Sequence, residues 1–168
     1  MKKAIAILMC ALSVVTLFCA CGGGENNTPA KSDVSLFDLK EAMLSAAPFG
    51  DMAYVSSNDA DAKTYLSAVS DIAYDKVDAF SVSYAKDGKG NSDEVVVIRV
   101  KDAADTGEAL ASLQKHLQTR QSLYATYDPT QSEKVGKGIT FSTDSYAVLI
   151  VSDDNAAVKA AFEAYIQA

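Results

Sequence analysis

Two short runs, Val95–Val100 and Tyr146–Val151, are apolar at almost every position, and an aspartate, Asp102 or Asp153, stands two residues beyond each. Successive strand side chains point to opposite faces, so a run this apolar needs cover on both sides and belongs inside a sheet. A weaker, alternating segment precedes each run. Phe80, Val82 and Tyr84 alternate with Ser81 and Ser83, and Ile139 and Phe141 alternate with Thr140 and Ser142. Lys86-Asp87-Gly88-Lys89-Gly90-Asn91 and Ser142-Thr143-Asp144-Ser145 carry turn chemistry and close each pair into a hairpin. An amphipathic helix follows each hairpin. The first is capped by Asp102, with Asp105 three positions on, and carries Leu110, Leu113, Leu117 and Tyr124 to about Tyr127, where Asp128-Pro129 stops it. The second is capped by Ser152 or Asp153 and carries Val158, Phe162, Tyr165 and Ile166.

The same order of elements thus occurs twice, at a period of about fifty residues. It predicts an α+β two-layer sandwich: a four-stranded antiparallel sheet from two β-hairpin–helix units, ββαββα, in the order 1-2-4-3, with both long helices on one face. The order 2-1-3-4 is also fully antiparallel, and only the apolar pattern disfavours it. The other face requires a cover from upstream. Leu36, Leu39, Met43 and Leu44 mark an additional N-terminal helix from Ser35, ended by Pro48. Met52, Tyr54 and Val55 read as a short extended piece, and Asp61–Val69 as a short helix.

The first twenty residues are of another kind. Met1-Lys2-Lys3 is a short basic start, and Ala4 to Ala20 is apolar apart from Ser13 and Thr16, as in a secretory signal peptide. The segment Leu17-Phe18-Cys19-Ala20-Cys21 resembles the lipobox of bacterial lipoproteins, in which the cysteine thiol receives a diacylglyceryl group and cleavage falls just before it. Phe18 stands where leucine is usual. The likeness implies lipidation of Cys21, and with it a palmitate-type anchor at the extracytoplasmic face of the cell membrane. Cys10 and Cys19 leave with the signal, so no disulfide remains to be made. Gly22 to Asp33 has almost no apolar side chain and reads as a tether. The organisation expected is a signal peptide over 1–20, a lipidated flexible tether over 21–33 and one α+β domain over 34–168.

Without Lys2 and Lys3 the chain keeps 13 basic and 22 acidic side chains, a net charge of −9. That sign argues against nucleic acid, whose phosphates require clustered Lys and Arg. His116 is the only histidine, which excludes the usual zinc sites and leaves a surface position on the long helix as its reading. Neither Asn58-Asp59-Ala60-Asp61 nor Asp87–Asp93 has the spacing of a calcium loop, and turn and cap roles explain both. Lys134-Val135-Gly136-Lys137-Gly138 lacks phosphate-loop spacing and reads as a glycine-rich approach to the third strand. The absence of Trp removes the usual aromatic platform of a carboxylate glycosidase. The eight tyrosines remain as material for a contact surface.

Tyr84-Ala85-Lys86-Asp87-Gly88-Lys89, Val100-Lys101-Asp102-Ala103-Ala104-Asp105 and Tyr146-Ala147-Val148-Leu149-Ile150-Val151-Ser152-Asp153-Asp154 together resemble domain-of-unknown-function family 4358, small lipoproteins mostly of Gram-positive anaerobes. The likeness extends over about residues 35 to 167. These motifs are strand ends and helix caps, so the resemblance implies a fold and no catalytic, metal or cofactor residue; beyond Cys21 it assigns no site. The expectation is a membrane-anchored lipoprotein acting as a non-enzymatic binding or envelope-interaction module, with a membrane anchor, an envelope protein as possible partner and no cofactor. A small carboxylate-based enzyme, or a carrier with an apolar cleft between the sheet and the first helix, is the alternative.

Overall fold

The computed structural model describes residues 34–87 and 90–168. Cys21, the signal segment and the tether lie outside the described residues. The elements run α1 (Leu36–Leu44), β1 (Met52–Ser56), α2 (Ala62–Val69), β2 (Val77–Ala85), β3 (Glu94–Val100), α3 (Thr106–Tyr127), α4 (Pro129–Gly136), β4 (Ile139–Thr143), β5 (Tyr146–Val151) and α5 (Asn155–Ile166). All five strands form one antiparallel sheet in the order β1-β2-β3-β5-β4. The four strands read from the sequence stand in the expected relative order, with both apolar runs inside. The sheet has five strands rather than four, because Met52–Ser56 pairs with Ser81–Ala85 as an extra edge.

The expectation of two layers is wrong: the sandwich has three. Val96, Ile98, Leu149 and Val151 bury one side of the central strands beneath α2, α3 and α4, through Leu66, Leu113 and Val135. Val95, Val97, Val148 and Ile150 bury the other beneath α1 and α5, through Leu39, Met43, Val158 and Phe162. The two long helices therefore take opposite faces. Both central strands are apolar on both sides, and one helix on each side removes both stripes from water. Ser81 and Ser83, the polar half of the β2 alternation, lie under α1 and are buried. Arg99 fastens the start of α1: it donates to the Val34 carbonyl (2.9 Å), to Asp78 (2.6 Å) and to the Tyr146 hydroxyl (3.4 Å).

Local chemistry corrects three boundaries. The Asp102 carboxylate accepts from Ala104 N (2.9 Å) and caps a short 3-10 turn, so α3 itself starts at Thr106. Asp128-Pro129 ends α3 but also begins α4, with Asp128 accepting from Gln131 N and proline at the first turn, where its missing N–H costs nothing. α5 is capped by Asp154, which accepts from Ala157 N (2.9 Å), rather than by Ser152 or Asp153. Among the described residues no helix is long and apolar enough to cross a membrane.

Two glycines near the end of α4 differ sharply in what surrounds them. A methyl group on Gly138 meets the Val135 carbonyl at 2.9 Å, Val151 Cγ2 at 2.9 Å and Leu117 Cδ1 at 3.0 Å, all inside the packed layer. On Gly136 it meets only the end of the Gln121 side chain, which can swing away. Gly138→Ala is expected to lower stability by about 1–3 kcal/mol through overpacking. Gly136→Ala should stay within about 0.5 kcal/mol of the parent, as surface changes do. Urea unfolding of the two variants side by side checks this, and equal losses would contradict the packing described.

Candidate functional site

Three polar residues, Ser92, Asp93 and Glu94, stand at the head of β3, one of the two apolar central strands, and all three are buried. Glu94 shares the face of Val96 and Ile98 and so meets α3. There His116 and Arg120, four residues apart on one side of the helix, both reach it. Arg120 Nη1 donates to Glu94 Oε2 at 2.9 Å and Nη2 to the Ser92 carbonyl at 3.2 Å. His116 Nε2 lies 3.0 Å from the same carboxylate oxygen. A carboxylate only accepts, so Nε2 carries the hydrogen in this contact. His116 is therefore not the surface residue its sequence position implied: its side chain is 16% exposed and closes a buried ion cluster.

Asp93 is gripped from another helix. Lys134 Nζ on α4 stands 2.7 Å from Asp93 Oδ1 and 2.8 Å from Asp153 Oδ1, one ammonium between two carboxylates. The ammonium covers this Asp93 oxygen, which is closed to solvent. Burial alone would pull the Lys134 ammonium down, but Asp153 and Asp93 outweigh it and hold its pKa above the usual lysine value. Gln131, one turn earlier, accepts from Ser92 N (2.8 Å) and donates to the Gly90 carbonyl (2.9 Å). Asn91 Oδ1 accepts from Asp93 N (2.9 Å). Gly90 takes φ +80°, a backbone region closed to most side chains, and lets the loop turn into these contacts.

Between this loop, α4, the Pro48–Gly50 segment and Ser152-Asp153 lies an open cleft of about 560 Å³. Asp93, Lys134, Asp153, Asn91 and Gln131 form its polar floor and wall, and the exposed pair Glu133–Lys137 (2.7 Å) stands on its rim. Lys134, Lys137 and Gly138, read from the sequence as an approach to a strand, thus fall at the end of α4, with both lysines lining this cleft. Sequence reasoning had only one signal for the site: two adjacent acids preceding an apolar run, which no surface strand requires.

The other sequence candidates are not gathered here. Asp59 accepts from Ser56 N (2.6 Å) and Ser56 Oγ, a turn role. Among the described residues no three His, Cys, Asp or Glu side chains come together as a metal-holding group. Tyr54, Tyr84 and Tyr146 do not share a surface: Tyr146 is fully buried, Tyr54 packs edge-on against Phe37 with Lys40 over both rings, and the register of β1 with β2 puts Tyr54 and Tyr84 on opposite faces. The space between α1 and the sheet, where the alternative carrier reading needs an apolar cleft, is filled by Leu39 and Met43, both fully buried.

Removing Glu94 leaves Arg120 and His116 facing each other beside a buried carbonyl. Glu94→Ala is expected to cost about 3–5 kcal/mol, and Glu94→Leu combined with Arg120→Met to recover most of it, as measured by urea unfolding of each variant. Lys134 gives a pH test. A pKa raised in the folded state adds stability that is complete below the ordinary value of 10.5 and is lost as pH climbs through the folded value. The thermal midpoint should therefore fall above pH 10.5 more steeply in the parent than in Lys134→Met. Parallel curves would contradict the assignment.

Residues 52–152 match the family described as Domain of unknown function (DUF4358). No curated protein and no solved structure matches the chain. The match is shorter than the expected 35–167: it starts at β1 and stops just after β5, leaving α1 and α5 outside. Ser92 to Glu94, His116, Arg120 and Lys134 all fall within it, and Asp153 follows its last residue. A match over more than half of the chain, spanning the whole sheet and the helices that hold the cleft, makes this protein a member of the DUF4358 family.

Proposed function

We propose that the protein is a lipoprotein held at the outer face of the cytoplasmic membrane through Cys21, and that its folded region is a non-enzymatic binding module whose contact site is the cleft beside α4. The segment Leu17-Phe18-Cys19-Ala20-Cys21 after an apolar, basic-led stretch supports the anchor. Two acyl chains on that cysteine would hold firmly, because each buried methylene contributes about 0.8 kcal/mol and a single chain is marginal. The observation that carries the binding reading is the settled state of the acids in and beside the cleft. Asp93 and Asp153 share Lys134, and Glu94 is held by Arg120 and His116. Hydrolytic work by carboxylates requires one free to move a proton against a substrate, whereas these are bound to structural cations.

In cells fed an alkynyl palmitate, the parent should take up label and sediment with membranes. Cys21→Ser should take up none and leave the membrane fraction. Label retained by that variant would contradict the anchor, and label absent from the parent would do the same.

A further inference from the structure

We infer that the free edge of β4 pairs with the β4 of a second copy of this chain, joining two sheets into one across a two-fold axis. This surface is separate from the cleft, and the inference goes beyond the binding-module reading, relying on it only for the membrane anchor. An outer strand presents a row of backbone donors and acceptors, which native sheets blunt with charge, proline, a bulge or a cover. β1 is stopped in this way: the Asp59 carboxylate accepts from Ser56 N (2.6 Å) and the Asp59 amide donates to the Ser56 carbonyl (3.2 Å), filling the outward groups at one end. β4, Ile139-Thr140-Phe141-Ser142-Thr143, has no charge, no proline and an unbroken register with β5. The two-residue turn Asp144-Ser145 makes Thr143, Phe141 and Ile139 the residues whose amides face β5. Thr140 and Ser142 therefore aim theirs outward, and among the described residues nothing bonds to them.

The edge is complementary to itself. With Phe141 opposite Phe141 of the second copy, Thr140 stands opposite Ser142 and Ile139 opposite Thr143, so the whole strand is paired and the outward amides of Thr140 and Ser142 meet their counterparts. No like charges face each other along this ladder, although the chain as a whole is acidic. At both ends the same register brings exposed Asp144 toward exposed Lys137 of the second copy. The axis of such a pair is normal to the sheet, so the α1 and α5 layers of both copies lie on one side. Val34, whose carbonyl Arg99 holds at the start of α1, is on that side. The segment from Cys21 thus enters both copies from the same face, and one membrane can hold the two. So short a ladder offsets little of the cost of association, and pairing depends on the raised local concentration of anchored copies. A free peptide lacks that concentration, which favours a second copy as the occupant.

Disulfide trapping of the full chain in lipid vesicles, with copper phenanthroline as oxidant and the unsubstituted chain as the blank for its own cysteines, tests this. Thr140→Cys and Ser142→Cys copies bearing tags of different size should join when mixed, because opposite residues of a hydrogen-bonded pair lie about 5.5 Å apart between Cα atoms, within disulfide reach. Their yield should exceed about tenfold that of Ala111→Cys, an exposed position on α3 that reports chance collision, and should exceed that of Thr140→Cys alone, whose thiols lie diagonally. Thr140→Pro in the Ser142→Cys copy removes an N–H that the ladder with β5 does not use, so the thermal midpoint should hold while the yield falls about fivefold. A mixed yield no higher than the Ala111→Cys level, equal yields for the mixed and single β4 cysteines, or a yield that survives Thr140→Pro would each overturn the inference. Trapping of another protein in intact cells, in place of the second copy, would do the same. A chain that takes no palmitate label yet joins in this register in detergent would instead overturn the anchor and leave the pairing standing.

Discussion

The structure depends on one constraint: β3 and β5 lie side by side at the centre of the sheet and are apolar on both faces. Val95 to Ile98 and Tyr146 to Val151 are all buried, and no single helical layer can achieve that. The three-layer arrangement follows. α3, with α2 and α4, covers the side of Val96, Ile98 and Leu149, while α1 and α5 cover the side of Val97, Val148 and Ile150. Phe162 is the largest α5 contribution, packing edge-on against both Phe141 and Tyr146 at 5.3 and 5.8 Å between ring centres. The edge strands are lighter, as their exposure permits. β4 is only partly buried along its length, and β1 is no longer than five residues.

The polar head of β3 is the counterpart of that apolar body. Asp93 and Glu94 enter the same buried ground as the valines and are tolerated because each meets a cation: Glu94 meets Arg120 from α3, and Asp93 meets Lys134 from α4. The turn between these helices at Asp128-Pro129 sets both cations against one strand end, so the α3–α4 corner positions the cleft. Stability and site are therefore coupled. The residues that neutralise the strand head also contribute the floor and wall of a cleft with the size and polarity for a small ligand.

Much of this is legible in the sequence. The apolar runs place the inner strands and the relative order of four of them, since a strand apolar on both faces cannot be an edge. Periodicity locates α1, α2, α3 and α5. What escapes it has particular causes. β1 reads as a short extended piece, but five residues carry no sign that it joins the sheet, and its place is set by pairing with Ser81–Ala85 rather than by its own pattern. Asp128-Pro129 reads as a stop because proline ends helices, yet proline at the first turn with a capping aspartate also starts one. The repeated grammar suggests that both long helices share a face, but two like units can send their helices to opposite sides, and only the need to bury both stripes decides. His116 illustrates the limit for the site. Its partner Glu94 is 22 positions away, and a helix face that is polar by pattern becomes buried once a charged strand end arrives against it.

The central claim, that the β3–β5 pair is the inner axis to which both helical layers are docked, is tested most directly by native-state hydrogen exchange. Amides of Val95–Ile98 and Ala147–Ile150 should be the slowest in the protein and open only with global unfolding, while those of β1 and β4 open by smaller fluctuations. Exchange from β3 or β5 as fast as from the edge strands would contradict it.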